Sequence, residues 1–69
     1  MKNKNFPTIS VVIATHNSAR TIGRCLASIR AQEYLQERIE IIIADGASTD
    51  NTYDIAVKYN VRWIAVDST

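Results

Sequence analysis

The sequence is poor in the residues that cross-link a chain or interrupt its regular structure. Its 69 residues include one cysteine, one proline and two glycines. The single cysteine, Cys25, excludes an internal disulfide and a cysteine-based metal site, and it is compatible with a reducing compartment. The first glycine after the first apolar run is Gly23, and neither G-x-G-x-x-G nor G-x-x-x-x-G-K occurs. The chain therefore lacks the glycine-rich loops that hold dinucleotides or P-loop substrates.

The sequence also lacks a charge excess and a long apolar run. Eight Lys and Arg residues oppose seven Asp and Glu residues, for a net charge of +1. This balance gives no electrostatic reason to expect a nucleic-acid partner or an acidic membrane surface. No apolar run approaches the roughly 18 residues of a membrane-spanning helix, and residues 1–7 are not followed by the apolar segment of a signal peptide. We therefore expect no nucleic-acid partner, no membrane segment in this chain and a cytoplasmic location.

What the sequence does contain is a series of patterned apolar runs. Hydrophobic residues make up 46% and charged residues 22% of the chain, the balance of an ordinary globular protein. Two short β-branched runs, 9–14 and 39–44, are typical of strands buried on both faces of a parallel sheet. A third run at 61–66 predicts a third strand.

Two amphipathic helices are predicted between these strands. We expect the first to begin with Ser18 as its N-cap and to end near residue 33 or 34. Its apolar positions share one helical face, with Cys25 as a small core residue: Ile22, Cys25, Leu26 and Ile29. The second is predicted at about 50–60, with an inner face of Thr52, Ile55, Ala56 and Tyr59.

The resulting order, β-α-β-α-β, predicts an α/β fold with a partial doubly wound, Rossmann-like parallel sheet and right-handed crossovers. Residues 1–8 form a lead-in and 9–69 form a half-domain. With strands in the order 3-2-1, the first strand is an open edge without the proline or lysine that protects edges. A chain this short buries too little surface to be more than marginally stable. We therefore expect half of a larger domain, with a dimer through the open edge as a possible arrangement.

Polar segments follow the first two strands, THNS at 15–18 and DGAST at 45–49. Ligands of open parallel sheets bind beyond the carboxyl ends of the strands, and the helices that begin there offer amides to phosphate groups. Asp45, at the end of the second strand, is placed to accept hydrogen bonds from a ribose or a base. These features predict a nucleotide site.

The segments ISVVIATHN, RCLASIRAQ and IEIIIADGASTDNT resemble the opening of family 2 glycosyltransferases, which have the GT-A fold. The family pattern is a strand ending in P-T-Y-N, a helix ending in S-x-x-x-Q, and a strand ending in D-D-G-S-T-D-G-T or D-G-G-S-T-D-G-T. The resemblance extends from about residue 9 to residue 66. It implies that residues 9–69 are the nucleotide-binding half of such an enzyme.

The resemblance assigns a nucleotide-binding role to five residues. Thr15 and Asn17 match the T and N that line the nucleotide pocket, and His16 matches the tyrosine that packs near the base. Asp45 matches the first acid after the second strand, and Gly46 stands where many members have the aspartate that contacts the base. Ser48, Thr49 and Asp50 match S-T-D, which shapes the turn and starts the second helix.

Structural alternatives remain open for four of these residues. Asp45 can instead satisfy the amides of its own turn, and Asn17 can support the turn that follows the first strand. His16 can be an exposed loop residue. Gly46 is expected to serve backbone geometry at positive φ.

The resemblance also implies an activity, often in polysaccharide synthesis. The full-length enzyme moves a sugar from a nucleotide diphosphate donor, most often a UDP-sugar, to a hydroxyl acceptor. It uses Mg²⁺ or Mn²⁺ held by a D-x-D motif, and a carboxylate base. No D-x-D occurs in these 69 residues. We therefore assign no catalytic or metal-binding residue and expect no transfer by this chain alone. The alternatives are a non-catalytic nucleotide-binding module and a remnant that pairs its open edge.

Overall fold

A computed structural model describes residues 7–66 as a three-stranded sheet with two α-helices. In chain order the elements are β1 (Ile9–Thr15), α1 (Ile22–Arg30), β2 (Ile39–Asp45), α2 (Thr52–Ala56) and β3 (Arg62–Ala65), with short 3-10 turns at Gln36–Arg38 and Val57–Tyr59. The predicted α/β half-domain with parallel strands is confirmed. Most of the predicted lead-in, and residues 67–69, lie outside the described residues.

The sheet is parallel throughout and its strands lie in the order β1-β2-β3. β1 and β2 pair along their whole length, from Ile9 opposite Ile39 to Thr15 opposite Asp45. β3 pairs with the second half of β2. Within residues 7–66, β1 therefore forms one edge of the sheet, as predicted.

The core lies on one side of the sheet, which we call the covered face. Ile41 and Ile43 of β2 are buried in one cluster with Leu26 of α1 and Ala56 of α2. The opposite, bare face is formed by the even-numbered strand residues, among which Val12 is 66% exposed and Ile64 is 41% exposed. Two successive right-handed crossovers in one direction place both helices on the same side. The sequence predicts strands that are buried on both faces of the sheet. Within residues 7–66, only the covered face is buried.

The prediction that Cys25 is a core residue is wrong, because the Cys25 side chain is exposed. The reason is the contact between α1 and α2. A Cβ atom on Gly23 would lie 3.3 Å from Cγ2 of Ile55, so the two helices are close at this point. This contact turns the Gly23 and Leu26 side of α1 inward and leaves Cys25 on the outer flank.

The predicted helix ends also need correction. Thr21, not Ser18, is the N-cap of α1. The carbonyl of Ser18 accepts the amides of Thr21 and Ile22 at 3.0 and 2.9 Å. α1 ends at Arg30, and regular α-helix in α2 ends at Ala56, before a 3-10 turn. No described helix has the length and apolar composition needed to cross a membrane.

The amino ends of β2 and β3 are joined by the guanidinium of Arg30. Its Nε donates to the carbonyl of Tyr59 at 3.0 Å and its Nη2 to that of Asn60 at 2.8 Å. Nη1 donates to Oε1 of Gln36 at 3.2 Å and to the carbonyl of Ile39 at 3.5 Å. This half-buried side chain therefore fixes the end of the sheet opposite the predicted nucleotide site.

Candidate functional site

The two polar segments after β1 and β2 come together at the carboxyl edge of the sheet. We call residues 16–21 the first loop and residues 46–51 the second loop. Because Thr15 and Asp45 are paired in register, the loops start side by side. The Gly46 amide donates to the Thr15 carbonyl at 2.9 Å, and the Val66 amide donates to the Asp45 carbonyl at 2.8 Å. The parallel hydrogen bonding therefore continues one residue beyond β2, into the second loop, and one residue beyond β3.

Asp45 lies beneath the second loop and is only 4% exposed. Its Oδ1 accepts hydrogen bonds from the hydroxyls of Thr15 and Ser48, both at 2.5 Å. Its Oδ2 accepts the Ser48 amide at 2.9 Å. Burial acts to raise the pKa of Asp45, but the hydrogen bonds from Ser48 and Thr15 and the nearby His16 lower it more, so the pKa lies below its ordinary value of 3.8. The carboxylate stays charged while joining β1 to the second loop.

Four successive backbone amides of the first loop each donate to a side-chain oxygen. Three of the four oxygens belong to the segment 48–52, across the site. The pairs are His16 with Ser18 Oγ (3.2 Å), Asn17 with Ser48 Oγ (2.7 Å), Ser18 with Thr52 Oγ1 (2.9 Å) and Ala19 with Asp50 Oδ2 (3.2 Å). These amides are therefore not free for a phosphate, in contrast to the expectation from the helix starts.

Asn17 connects the loops through its side chain as well. Its Oδ1 accepts the amides of Thr49 at 2.7 Å and Asp50 at 3.3 Å, and the Thr49 hydroxyl at 3.4 Å. Its backbone is left-handed, with φ of 51°, a conformation that asparagine tolerates better than most residues. Its Nδ2 donates no hydrogen bond within residues 7–66.

His16 is exposed, and its ring is hydrogen-bonded to the second loop. Nδ1 lies 2.5 Å from the carbonyl oxygen of Gly46. Because a carbonyl oxygen only accepts, Nδ1 carries the proton that is shared with Gly46. The imidazole therefore presents one face and its Nε2 at the surface of the paired loops.

The left-handed residue of the second loop is Ala47, with φ of 57°, and no described glycine has positive φ. The expectation for Gly46 is therefore wrong. The turn must bring the amide and hydroxyl of Ser48 back to Asp45, and the left-handed step occurs immediately before Ser48. Alanine carries no sequence signal for this conformation, because it normally avoids it.

Asp50 precedes Asn51, the N-cap of α2, and its side chain bonds to the first residue of the helix. Its Oδ1 accepts the amide of Thr52 at 3.0 Å and also the Thr52 hydroxyl. The hydrogen bond from the Thr52 hydroxyl is the main cause that lowers the pKa of Asp50. Its other oxygen holds the Ala19 amide, a role that the sequence pattern does not reveal. Ser48, Asp50 and Thr52 are thus residues of the site in addition to those predicted.

The structure places all five predicted nucleotide-binding residues at one edge of the sheet. Those with exposed side chains are His16 and Asn17, whereas Thr15 and Asp45 are buried. Gly46 is half-buried between them. The surface offered to a ligand therefore consists of the first-loop side chains and the backbone of the second loop.

The described residues do not fit a divalent cation. No group of three or more His, Cys, Asp or Glu residues within 7–66 could hold a metal ion. Mg²⁺ and Mn²⁺ prefer free carboxylate oxygens, but both oxygens of Asp45 and of Asp50 already accept hydrogen bonds from the loops. We therefore derive no chemical step through a metal from these residues.

Comparison with known proteins identifies the family. The sequence model for glycosyl transferase family 2 matches residues 10–67. The chain belongs to this family. The segments that carry its motifs are β1 with the first loop and β2 with the second loop, the parts that form the candidate site.

Several curated family 2 relatives are similar over most of this chain. Glycosyltransferase AglE of Haloferax volcanii is 32% identical over 83% of the chain and 19% of its own length. Validoxylamine A glucosyltransferase of Streptomyces hygroscopicus is 38% identical over 81% of the chain and 12% of its own length. A Methanococcus voltae protein named as a dolichyl-phosphate-linked diacetamido-dideoxy-glucuronosyltransferase is 45% identical over 68% of the chain and 15% of its own length. No solved structure matches the chain.

The chain spans less than a fifth of the length of each of these relatives. What each relative's name says of its substrates concerns that whole protein.

Proposed function

We propose that this chain is the nucleotide-binding part of a family 2 glycosyltransferase, in which the whole enzyme transfers a sugar from a nucleotide diphosphate donor to a hydroxyl acceptor. One observation carries the proposal. The two loops that follow neighbouring parallel strands are joined by hydrogen bonds and form one continuous surface, on which His16 and Asn17 are exposed. Such an edge is where open α/β sheets bind their ligands.

The groups left free at this surface favour the base and ribose over the phosphates. The amides of residues 16–19 already have partners, so a diphosphate has no ready donor there. The exposed His16 ring can stack on a base. We propose a uridine nucleotide as the ligand class.

The sugar itself is not part of the proposal. The names of two relatives specify different sugars, a glucosyl group and a diacetamido-dideoxy-glucuronosyl group. The metal and the catalytic base are proposed to come from residues other than these 69, because the sequence has no D-x-D and the carboxylates of Asp45 and Asp50 already accept hydrogen bonds from the loops. We therefore expect the chain to bind donor without transferring sugar.

Titration of the ¹⁵N-labelled chain with UDP tests this proposal. We expect chemical-shift changes at the amides of both loops and none around Lys58, at the opposite end of the sheet. Replacing His16 with alanine removes a stacking contact and should weaken binding about tenfold. Lys58→Ala serves as the matched surface control and should leave the affinity unchanged. Unaltered loop resonances at millimolar UDP would overturn the proposal.

A second candidate function, an edge-pairing module, is favoured by the open edge of β1. This strand has no charged residue, and the neighbouring bare face exposes Val12. Antiparallel pairing of two β1 strands would satisfy their free backbone groups. Light scattering over a concentration series tests it: a dimer that Val12→Lys dissociates supports pairing, and a monomer at every concentration contradicts it.

A further inference from the structure

We infer that Asn17 is a positioning residue, which holds the second loop in place through Oδ1 and does not itself contact the nucleotide. The inference rests on the proposed function. The sequence pattern places Asn17 in the lining of the pocket. In the structure, however, its side-chain oxygen accepts hydrogen bonds from the second loop.

The geometry around Asn17 is that of a connector between two loops. Its own amide donates to Ser48 at 2.7 Å, and its Oδ1 accepts the amides of Thr49 and Asp50 at 2.7 and 3.3 Å. One residue thus satisfies backbone groups 32 and 33 positions away and also bonds to Ser48. The left-handed backbone at φ 51° allows both the amide and the side chain of Asn17 to reach the second loop.

The same connection reaches the groups that the nucleotide would meet. Ser48, bonded to the Asn17 amide, also holds Asp45. Asp50, whose amide is bonded to Asn17 Oδ1, holds the amide of Ala19. The carbonyl of Gly46, in the same loop, fixes the ring of His16. Without Oδ1 two exposed amides lose their acceptor, the second loop is less ordered, and the His16 ring loses a fixed partner.

Two substitutions separate positioning from direct contact. Asn17→Asp keeps an oxygen at the Oδ1 position and removes the Nδ2 donor. Asn17→Gly removes both and still accepts positive φ, so backbone strain does not confuse the comparison. Asn60→Gly is the matched control, because Asn60 has φ 58° and lies at the opposite end of the sheet.

Two measurements are made on each 69-residue variant. Hydrogen exchange of the Thr49 and Asp50 amides reports whether the second loop is held. Titration with uridine reports affinity, and it avoids repulsion between phosphates and a new carboxylate. We expect Asn17→Gly to lose amide protection and to bind uridine about tenfold more weakly. Asn17→Asp should keep both properties, and Asn60→Gly should match the unsubstituted chain.

The outcomes distinguish the two ideas. Affinity that follows amide protection from variant to variant supports positioning, including the case in which Asn17→Asp loses both together. Protection kept with affinity lost in Asn17→Asp identifies a direct contact and overturns the inference. Unchanged protection or unchanged affinity in Asn17→Gly also overturns it while leaving the proposed function intact. If the unsubstituted chain binds neither uridine nor UDP, the proposed function fails, and the inference fails with it.

Discussion

At the scale of single residues, the site depends on polar side chains that bond to the protein before any ligand arrives. Asp45 is buried and accepts three hydrogen bonds. These bonds offset the cost of placing a charged carboxylate in a low-polarity environment. Asn17 and Asp50 act similarly at the surface. The residues most characteristic of the motif are therefore also the ones that maintain its shape.

Replacing Asp45 with asparagine should reduce stability at pH 7 by about 1–3 kcal/mol, because the new NH₂ group faces donors. Urea unfolding measures this. Asp54→Asn is the control, since Asp54 is an exposed helix residue. An equal effect of both substitutions would contradict the role of Asp45.

The stability of the chain should also depend on pH through this residue. The pKa of Asp45 is lowered in the folded state, so its contribution is present above the unfolded value of 3.8 and is lost as pH falls through the folded pKa. Asp50 contributes in the same direction. We expect unfolding free energies measured between pH 7 and pH 3 to decline less steeply at the acid end in Asp45→Asn. A parallel decline in both proteins would argue against this assignment.

Ala47 holds a left-handed conformation at φ 57°, which costs a residue with a Cβ about 1–2 kcal/mol. Ala47→Gly removes this strain but also raises the conformational entropy of the unfolded chain, which lowers stability. The net effect should be a stabilisation of up to about 1 kcal/mol. Thermal unfolding measures the change. The same substitution at Ala27, an exposed position of α1, should instead destabilise by up to about 1 kcal/mol. Destabilisation at both sites would contradict strain at Ala47.

At the scale of elements, the two ends of the sheet are fixed by different means. The carboxyl end is held by the loop side chains described above. The amino end is held by Arg30, whose guanidinium donates to the carbonyls of Tyr59, Asn60 and Ile39. The planar fork of arginine can reach several carbonyls at once, whereas a lysine or methionine cannot.

Replacing Arg30 with methionine keeps much of the apolar stem and removes every donor. The carbonyls before β2 and β3 lose their partner, and stability should fall by about 1–3 kcal/mol. Arg24→Met is the matched control, because Arg24 is an exposed residue of the same helix and should change stability by no more than about 0.5 kcal/mol. Chemical denaturation compares the two, and similar values would refute the role of Arg30.

At the scale of the whole molecule, the described chain has one covered face and one bare face. A single layer of helices over three strands leaves Val12, Ile64 and Val66 exposed at 66%, 41% and 43%. Stability therefore rests on a small core, in which Leu26, Ile41 and Ile43 are the largest fully buried apolar side chains.

Ile43→Ala on the covered face should cost about 2–5 kcal/mol, comparable to the total stability of a domain this small. We expect that variant to be largely unfolded by circular dichroism. Val12→Ala on the bare face should unfold at nearly the same urea concentration as the unsubstituted chain. A large loss from Val12→Ala would show that the bare face is covered in solution.

Much of this architecture follows from local sequence features. The β-branched runs predict the three strands, and their spacing predicts parallel pairing in the order seen. The polar segments after the first two strands predict that two loops meet at the carboxyl edge of the sheet, and the THN and DGASTD segments indicate the family. These inferences succeed because periodicity, turn chemistry and crossover handedness depend on residues close together in the chain or on general topology.

Tertiary structure alone decided which side of α1 faces inward, and so the exposure of Cys25. It decided that Ala47 rather than Gly46 is left-handed. It also decided that the first-loop amides are bonded to Ser48, Asp50 and Thr52 rather than free for phosphate. The physical reason is distance along the chain: these partners are 31 to 34 positions apart and meet only when β1 and β2 pair. The sequence by itself determined the fold and the edge of the sheet at which the two loops meet, and tertiary contacts decided which polar groups of those loops bond to the protein.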